Sequence, residues 1–538
     1  MLSAFLSILL SIFTPPVDYD ISLAGNFGEP RPNHFHGGLD IRTEGREGKH
    51  IYAIGDGYVS RITDGLYGFG KAVYITHPTG QTSVYCHLKS FSPRIKAALR
   101  RFQYSHETSV ADAHLTPLDC PVSQGQFIAL SGNTGSSTAP HLHLEIHDTR
   151  TWDMLDPYEF LSDYINDTIP PRAHGIMACP QDPQSYFNGR SQSLVFNINS
   201  NNTAWGKVGF ALWADDYMQD SYNHYGVRET RLLVDGKEVF NSIVDRIPVS
   251  QNRLVNSWGD YDHWLHHRTW YMRSFKEPGN TLAILHTDES RGIIDFSDER
   301  DYHLEYILCD YKGNESRYAF TVQGKAPQTI KEPGRNDKSE DILHWNQTCT
   351  YNQPGMQLVV PYGLLTRDIQ LRPTVRENLS MEAYSDAYSF YDRSLPLVTD
   401  AIISLYVQRP VEEPSKLYVT SNGRFLGGDY KDGWVTGKAR DLGHDYELDY
   451  DDEPPVIKPM NMTERLQLSV HDTKTGISSW TATIDGRFVV FDAIEKSSTY
   501  ACDLRETWLR KTGKTHRLRF VAIDHRDNTQ TFETTFHY

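Results

Sequence analysis

The sequence predicts a mainly β chain built of several modules, and three observations carry that reading. Short apolar or alternating runs dominate, as in Ala72-Val73-Tyr74-Ile75 and Leu518-Arg519-Phe520-Val521-Ala522, with Gly, Asn and Asp turns between them. At 538 residues the chain is too long for one core and divides into about three to five units of ~100–200 residues. Proline-rich or charged punctuation falls at Ile169-Pro170-Pro171-Arg172, over 324–340 and at Asp451-Asp452-Glu453-Pro454-Pro455. The expected organisation is a leader over 1–16, a first unit over 17–168, a β-sandwich over 174–325, a β-rich module over 341–448 and a second β-sandwich over 456–538.

Taken in chain order, Met1 to Thr14 is apolar with three serines and runs into Pro15-Pro16, the length of a secretory signal core. The mature chain is therefore expected to be exported, to the periplasm or cell envelope, with no transmembrane span. The formal charge of −16 excludes a grip on nucleic acid or an anionic membrane through bulk charge. The six cysteines form no CxxC pair, which argues against a cysteine zinc site; a Cys86–Cys120 disulfide stays open as a pairing. One helix interrupts the β pattern: Ile95, Ala98, Leu99 and Phe102 recur at helical spacing over Ser92 to Tyr104.

A weak internal repeat links the two expected sandwiches. Leu233 to Phe240 and Thr483 to Phe491 each read as a hairpin around an Asp-Gly turn. Downstream, Leu304, Tyr306, Asp310 and Asn314 match Leu518, Phe520, Asp524 and Asn528 at equal spacing. These units resemble the immunoglobulin-like or fibronectin-type modules of exported proteins. Their aromatics, among them Trp205, Trp213, Trp258, Trp264 and Trp270, are expected mainly in cores, with glycan or envelope-partner binding as an accessory role.

The chemistry-bearing residues lie in the first unit. His34-Phe35-His36-Gly37-Gly38-Leu39-Asp40 stands near its start and His141-Leu142-His143-Leu144-Glu145 near its end. In a strand, His141 and His143 project from one face. An imidazole pair with a carboxylate from elsewhere is the ligand set of a catalytic zinc, which keeps one position open for water. His36 and Asp40, with two glycines between them, could close that set.

With the Gly55-Asp56-Gly57 hairpin, the strand ending Tyr85-Cys86-His87-Leu88 and the turn Gly132-Asn133-Thr134-Gly135, the stretch from Leu23 to Leu161 resembles the lysostaphin-type or LytM-like zinc endopeptidases of peptidoglycan. The resemblance implies an antiparallel sheet holding one zinc per chain on His36, Asp40 and His143. His87 and His141 are implied as catalytic groups that do not bind the metal, accepting a proton from water or stabilising the oxyanion. The implied function is a zinc metalloendopeptidase acting on peptidoglycan stems or cross-links. A catalytically silent regulator of another wall hydrolase and an envelope-binding protein are the alternatives.

Glu145 is expected to hydrogen-bond a ligand histidine, and His34 and His77 to be loop or turn residues. Alternation turns Cys86 away from the metal side. Relative to the family spacing, the helix and its flanks, with His106 and His114, form an insertion expected to wall the substrate groove. No tyrosine stands in 26–33, where some members carry one shortly before the first ligand.

Overall fold

A computed structural model describes residues 13–219, 221–327, 341–378, 380, 382–392, 394–494 and 496–538. The leader's residues 1–12 and the linker's 328–340 lie outside them. The chain is mainly β, as its alternating runs predict. Among the described residues, no helix is long and apolar enough to cross a membrane.

The first unit is built on an antiparallel sheet. Its strands are β1 (Leu23–Gly25), β2 (Leu39–Arg42), β3 (Gly57–Asp64), β4 (Lys71–Thr76), β5 (Gln81–Cys86), β6 (Ala111–His114) and β7 (His141–Asp148), with helix α1 (Pro93–Ser105) inserted between β5 and β6. In space they run β1-β2-β7-β5-β4-β3-β6. The last strand in sequence thus lies between two early ones, pairing His143 with Asp40 on one side and with Cys86 on the other. Leu39, Ile41, Tyr85, Leu142 and Leu144 line the opposite face and pack into the core, so the period-2 pattern sends the polar members of β2 and β7 to a shared surface.

Residues 13–16, assigned by sequence to the leader, meet this core. Phe13 is buried against His77 and Phe160, and the Thr14 amide donates to the Ile54 carbonyl at 2.8 Å. All six cysteines are free thiols, so Cys86 and Cys120 are not joined.

The two sandwich modules share a layout. In the first, β8 (Lys207–Asp215) precedes a sheet holding β9 (Glu229–Val234), β10 (Lys237–Ile243), β11 (Asp301–Cys309) and β12 (Glu315–Gly324). In the second, β13 (Arg465–His471) precedes β14 (Ile477–Ile484), β15 (Arg487–Phe488), β16 (Thr515–Asp524) and β17 (Thr529–His537). The strand orders β10-β9-β11-β12 and β15-β14-β16-β17 correspond one to one. Both Asp-Gly turns adopt positive φ at each central residue, Asp235 and Gly236 at 51° and 78°, Asp485 and Gly486 at 49° and 80°. That conformation matches the twist of a two-residue hairpin and explains the Asp-Gly pair.

The modules do not hang as separate beads. Met218 and Tyr225 join the hydrophobic core of the first unit, while Phe27, Phe35 and Met154 join that of the first sandwich. The Phe35 amide donates to Asn252 Oδ1 at 2.7 Å and the Asn33 amide to Asn256 Oδ1 at 3.0 Å, so the first sandwich holds the loop that carries His36. Helix α1 buries Ile95, Ala98 and Leu99 in the first core and turns its basic face to the last module. There Arg100 pairs with Asp492 and Glu506, Lys96 pairs with Glu506, and Tyr104 packs on Phe488. The insertion is thus the dock of the C-terminal sandwich. Replacing Asn252 with Ala should leave the Phe35 amide unpaired and cost about 1–2 kcal/mol, read as a lower denaturant midpoint of the intact chain.

Candidate metal centre

Two glycines let the His36 loop close on the sheet. A Cβ on Gly38 would lie 2.1 Å from the Leu144 carbonyl oxygen, and one on Gly37 would lie 2.5 Å from Glu145 Oε1. Side chains at these positions would push the loop off β7. Because they are absent, His36 Nε2 comes within 2.9 Å of Asp40 Oδ1 and 3.0 Å of His143 Nδ1, and His143 Nδ1 lies 2.8 Å from the same carboxylate oxygen. His36, Asp40 and His143 are all buried, and one ligand atom from each converges on a common point.

His87 and His141 adjoin this point. Their rings are 4.9 Å apart, the His87 and His143 rings are 5.7 Å apart, and His141 Nε2 lies 3.3 Å from Asp40 Oδ1. His87 follows β5 with φ of 59°, a left-handed turn uncommon for a residue with a side chain. That turn breaks the strand's alternation. Cys86 therefore faces the same side as His143, its direct partner across the sheet, and not away from it as alternation from His87 would have it. It is a buried thiol packed with Ala72, Tyr74 and Val84, and burial raises its pKa well above the ordinary thiol value.

The outer nitrogens of the four imidazoles assign their tautomers. His36 Nδ1 donates to the Asn26 carbonyl at 2.5 Å, His87 Nδ1 to the Thr134 carbonyl at 2.9 Å, and His141 Nδ1 to the Ala139 carbonyl at 2.8 Å. His143 Nε2 donates to Glu145 Oε1 at 2.9 Å. Each inner nitrogen is left with a lone pair directed at the cluster. Two such lone pairs and a carboxylate oxygen, mutually 2.8–3.0 Å apart, repel one another unless positive charge lies between them. A tetrahedral zinc with bonds of ~2.0–2.2 Å needs ligand atoms about 3.3–3.6 Å apart, a small dilation of this triangle. The donor set therefore fits zinc.

The electrostatics of His36 and His87 agree. Burial pushes His36 down to about 4, favouring the neutral imidazole that a metal requires. Burial also pushes His87 down to about 3, aided by His143 and His141. His143 differs: burial alone would lower it, but hydrogen bonds to Asp40 and Glu145 outweigh burial and raise it to about 9, so without a metal it holds a proton on Nδ1 that a bound metal would displace. Burial opposes ionisation of Asp40 as well, yet His36, His141 and His143 hold it far below the ordinary carboxylate range.

Two functional neighbours escape the sequence reading. His147 Nε2 donates to Glu145 Oε2 at 2.7 Å, so Glu145 bridges two imidazoles and fixes the orientation of His143. His147 continues the alternation His141, His143, Glu145, a signal present in the sequence. Arg31 Nη2 donates to Asp40 Oδ2 at 3.1 Å, leaving Oδ1 for the cluster. No pattern marks Arg31, which comes from the short strand Pro30–Arg31 that pairs with His34–Phe35. His34 is exposed on a two-residue strand, His34–Phe35, where a loop is expected, and His77 is buried between the Asp56 carbonyl and Ser83; neither joins the cluster.

The turn before His141 is tethered from outside. Lys496 of the last module donates to the Asn133 and Ser137 carbonyls at 2.6 and 2.7 Å, and Ser137 Oγ lies 3.3 Å from His141 Nδ1.

Residues 34–101 match the model of peptidase family M23, and residues 340–451 match that of the Zu5-like domain. The first match includes His36, Asp40 and His87 and ends inside α1, before the His141–His143 pair. An uncharacterized metalloprotease of Haemophilus influenzae is 33% identical over 120 residues, 22% of this chain and 19% of that protein. The chain thus spans about a fifth of that curated relative's length. A zinc containing peptidase from Vibrio cholerae is 28% identical with a TM-score of 0.18, covering 24% of this chain and 35% of that one. The catalytic domain of the antimicrobial peptidase lysostaphin from Staphylococcus simulans is 23% identical with a TM-score of 0.21, covering 26% and 92%.

Two substitutions test this geometry. Gly38→Ala should lower stability by about 1–3 kcal/mol through the clash with Leu144, seen in thermal unfolding. Glu145→Gln should weaken zinc binding about 10–100-fold while leaving the far-ultraviolet circular dichroism unchanged, because it releases the outer nitrogen of His143.

Proposed function

We propose that this chain, which carries a peptidase family M23 domain, is an exported zinc endopeptidase that hydrolyses amide bonds in the stems or cross-links of peptidoglycan. The observation that carries the reading is the convergence of His36, Asp40 and His143 on one point with the imidazoles of His87 and His141 beside it. The matching family model and the metalloprotease relative support the class of chemistry.

In this reading His36 Nε2, Asp40 Oδ1 and His143 Nδ1 hold the zinc. When bound there, zinc supplies a Lewis acid that acidifies water towards a pKa of ~7 and polarises a carbonyl. The chain's own residues do the rest. Arg31 keeps Asp40 ionised and singly engaged through Oδ2, while Glu145, braced by His147, fixes the ring plane of His143. His141 and His87, whose Nδ1 atoms are committed to backbone carbonyls, each present Nε2. One accepts the proton of the attacking water on Nε2 and so becomes the imidazolium that gives that proton to the departing amine; the other donates to the carbonyl oxygen once its own Nε2 has taken a proton from solvent. Because Phe13 and Thr14 are packed in the first unit, leader removal in this reading falls on the N-terminal side of Phe13.

The test is digestion of purified sacculi by protein loaded with one equivalent of zinc, with products identified by mass spectrometry. Muropeptides carrying a newly cleaved amide are expected, and His143→Ala should lose zinc and activity together. Activity that survives His143→Ala refutes the assignment. A wild-type chain that takes up no zinc and leaves sacculi intact belongs with the silent regulators.

A further inference from the structure

A second cluster of ionisable groups lies at the junction of the first unit and the first sandwich, remote in sequence from the histidine site. Asp167 stands before the first strand of the sandwich, Asp216 directly follows β8 and Asp310 directly follows β11. All three are buried, 5%, 3% and 2% exposed, and one carboxylate oxygen from each lies within 4.8 Å of the others. Among the described residues, none of the three forms an ion pair. Three buried carboxylates without a partner cation cost several kcal/mol each, so something must offset their charge.

The surroundings point to what it is. Asp216 Oδ1 is buried and has no hydrogen-bond partner. Independently, Tyr158 from the first unit is 4% exposed, and its hydroxyl also lacks a partner. Burial raises its pKa, and the charges of Asp167, Asp310 and Asp216 raise it further. Tyr158, Asp167 and Asp216 line a common cavity of about 20 Å³, room for one ion or water. Of the nearby cations, Lys312 donates to the Ser162 carbonyl, and Arg228, which lines the same cavity and stacks on Tyr311, forms no ion pair with any of the three carboxylates. Burial next to Asp167 pushes Asp216 up to about 8, so without a cation that carboxyl keeps its proton at neutral pH.

The last module provides an internal comparison. Asp451, Asp472 and Asp524 occupy corresponding places, Asp472 directly after β13 and Asp524 at the end of β16. Asn314 and Asn528 perform the same task in the two modules, each donating from Nδ2 to its aspartate, Asp310 or Asp524, and to the carbonyl of Asp167 or Asp451. In the last module, however, the carboxylates are satisfied from within. Thr475 Oγ1 donates to Asp451 at 2.6 Å, and three backbone amides donate to Asp472. No orphaned oxygen remains there among the described residues. One frame occurs twice, and among the described residues only the first copy is left with an orphaned carboxylate oxygen.

We propose that Asp167, Asp216 and Asp310 bind one hard divalent cation, Ca²⁺, which joins the first sandwich to the first unit. All-oxygen, carboxylate-rich coordination selects Ca²⁺ over zinc, and the 4.8 Å limit on the mutual oxygen distances is about twice a Ca–O bond of 2.3–2.6 Å. Water completes the shell, and the Tyr158 hydroxyl borders it. The inference stands on these residues alone and does not depend on peptidase activity. Its structural consequence is that the sandwich holding the His36 loop through Asn252 and Asn256 is fastened by a cation at its base.

The experiment uses the full-length, zinc-loaded chain and two readouts. Tb³⁺, a Ca²⁺ mimic, should give luminescence sensitised by the adjacent tyrosine, displaced by Ca²⁺ and not by equimolar Mg²⁺. Ca²⁺ at about a hundredfold its Kd should raise the thermal midpoint by about 5 °C or more. Asp216→Asn and Asp310→Asn should each abolish both effects, and Asp216→Asn without Ca²⁺ should be at least as stable as wild type, since it removes a buried carboxylate. Asp472→Asn in the last module should retain both effects. Absence of both in the wild type overturns the proposal, as does their survival in Asp216→Asn or Asp310→Asn, or their loss in Asp472→Asn.

Discussion

The antiparallel register that sets His143 opposite Asp40 is the constraint on which the histidine site depends. A shift of one residue between β2 and β7 would turn His141, His143, Glu145 and His147 into the core and bring Leu142 and Leu144 to the surface. The apolar partners prevent this: Leu39 and Ile41 on β2 and Leu142 and Leu144 on β7 are all buried on the opposite face. Packing on one face thus fixes chemistry on the other. The backbone of β7 also needs His36 close by, which the two glycines permit and the first sandwich enforces through Asn252 and Asn256.

That arrangement carries a charge problem that folding alone does not solve. Asp40 and Glu145 are buried carboxylates, and the imidazoles around them are tied by their outer nitrogens to acceptors. Every inner donor atom is therefore electron-rich and points inwards. Arg31 neutralises part of Asp40 from one side. The remaining repulsion is best relieved by a cation at the point where His36, Asp40 and His143 meet, and the same reasoning applies, with oxygen donors only, to Asp167, Asp216 and Asp310. The two sites differ in donor chemistry, nitrogen-rich in one and all carboxylate in the other, and so select different metals.

Much of this was legible in the sequence because it is periodic or local. Alternation in His141-Leu142-His143-Leu144-Glu145 defines a shared face, and the spacing of Ile95, Ala98, Leu99 and Phe102 locates α1 (Pro93–Ser105) to within a residue at each end. The Asp-Gly hairpins and the Asp310/Asp524 and Asn314/Asn528 correspondences identify two modules of one design. What escaped depends on contacts across the chain. Arg31 reaches Asp40 from a two-residue strand too short to show periodicity, and Asn252 and Asn256 act on residues more than two hundred positions away. Cys86 was placed on the wrong face because His87 leaves the strand in a left-handed turn, and alternation cannot be counted through such a break. The insertion read as a groove wall docks the last module, since its basic face only acquires meaning once Asp492 and Glu506 are folded against it.

Zinc K-edge X-ray absorption on the intact, zinc-loaded chain reads the ion shared by side chains from the two ends of the first unit. Two imidazole nitrogens and carboxylate and water oxygens are expected at ~2.0–2.2 Å, with no sulfur at ~2.3 Å, and loss of one imidazole scatterer in His36→Ala. A spectrum with a cysteine sulfur, despite Cys86 lying on the site's face, or one unchanged by His36→Ala, would contradict that sharing.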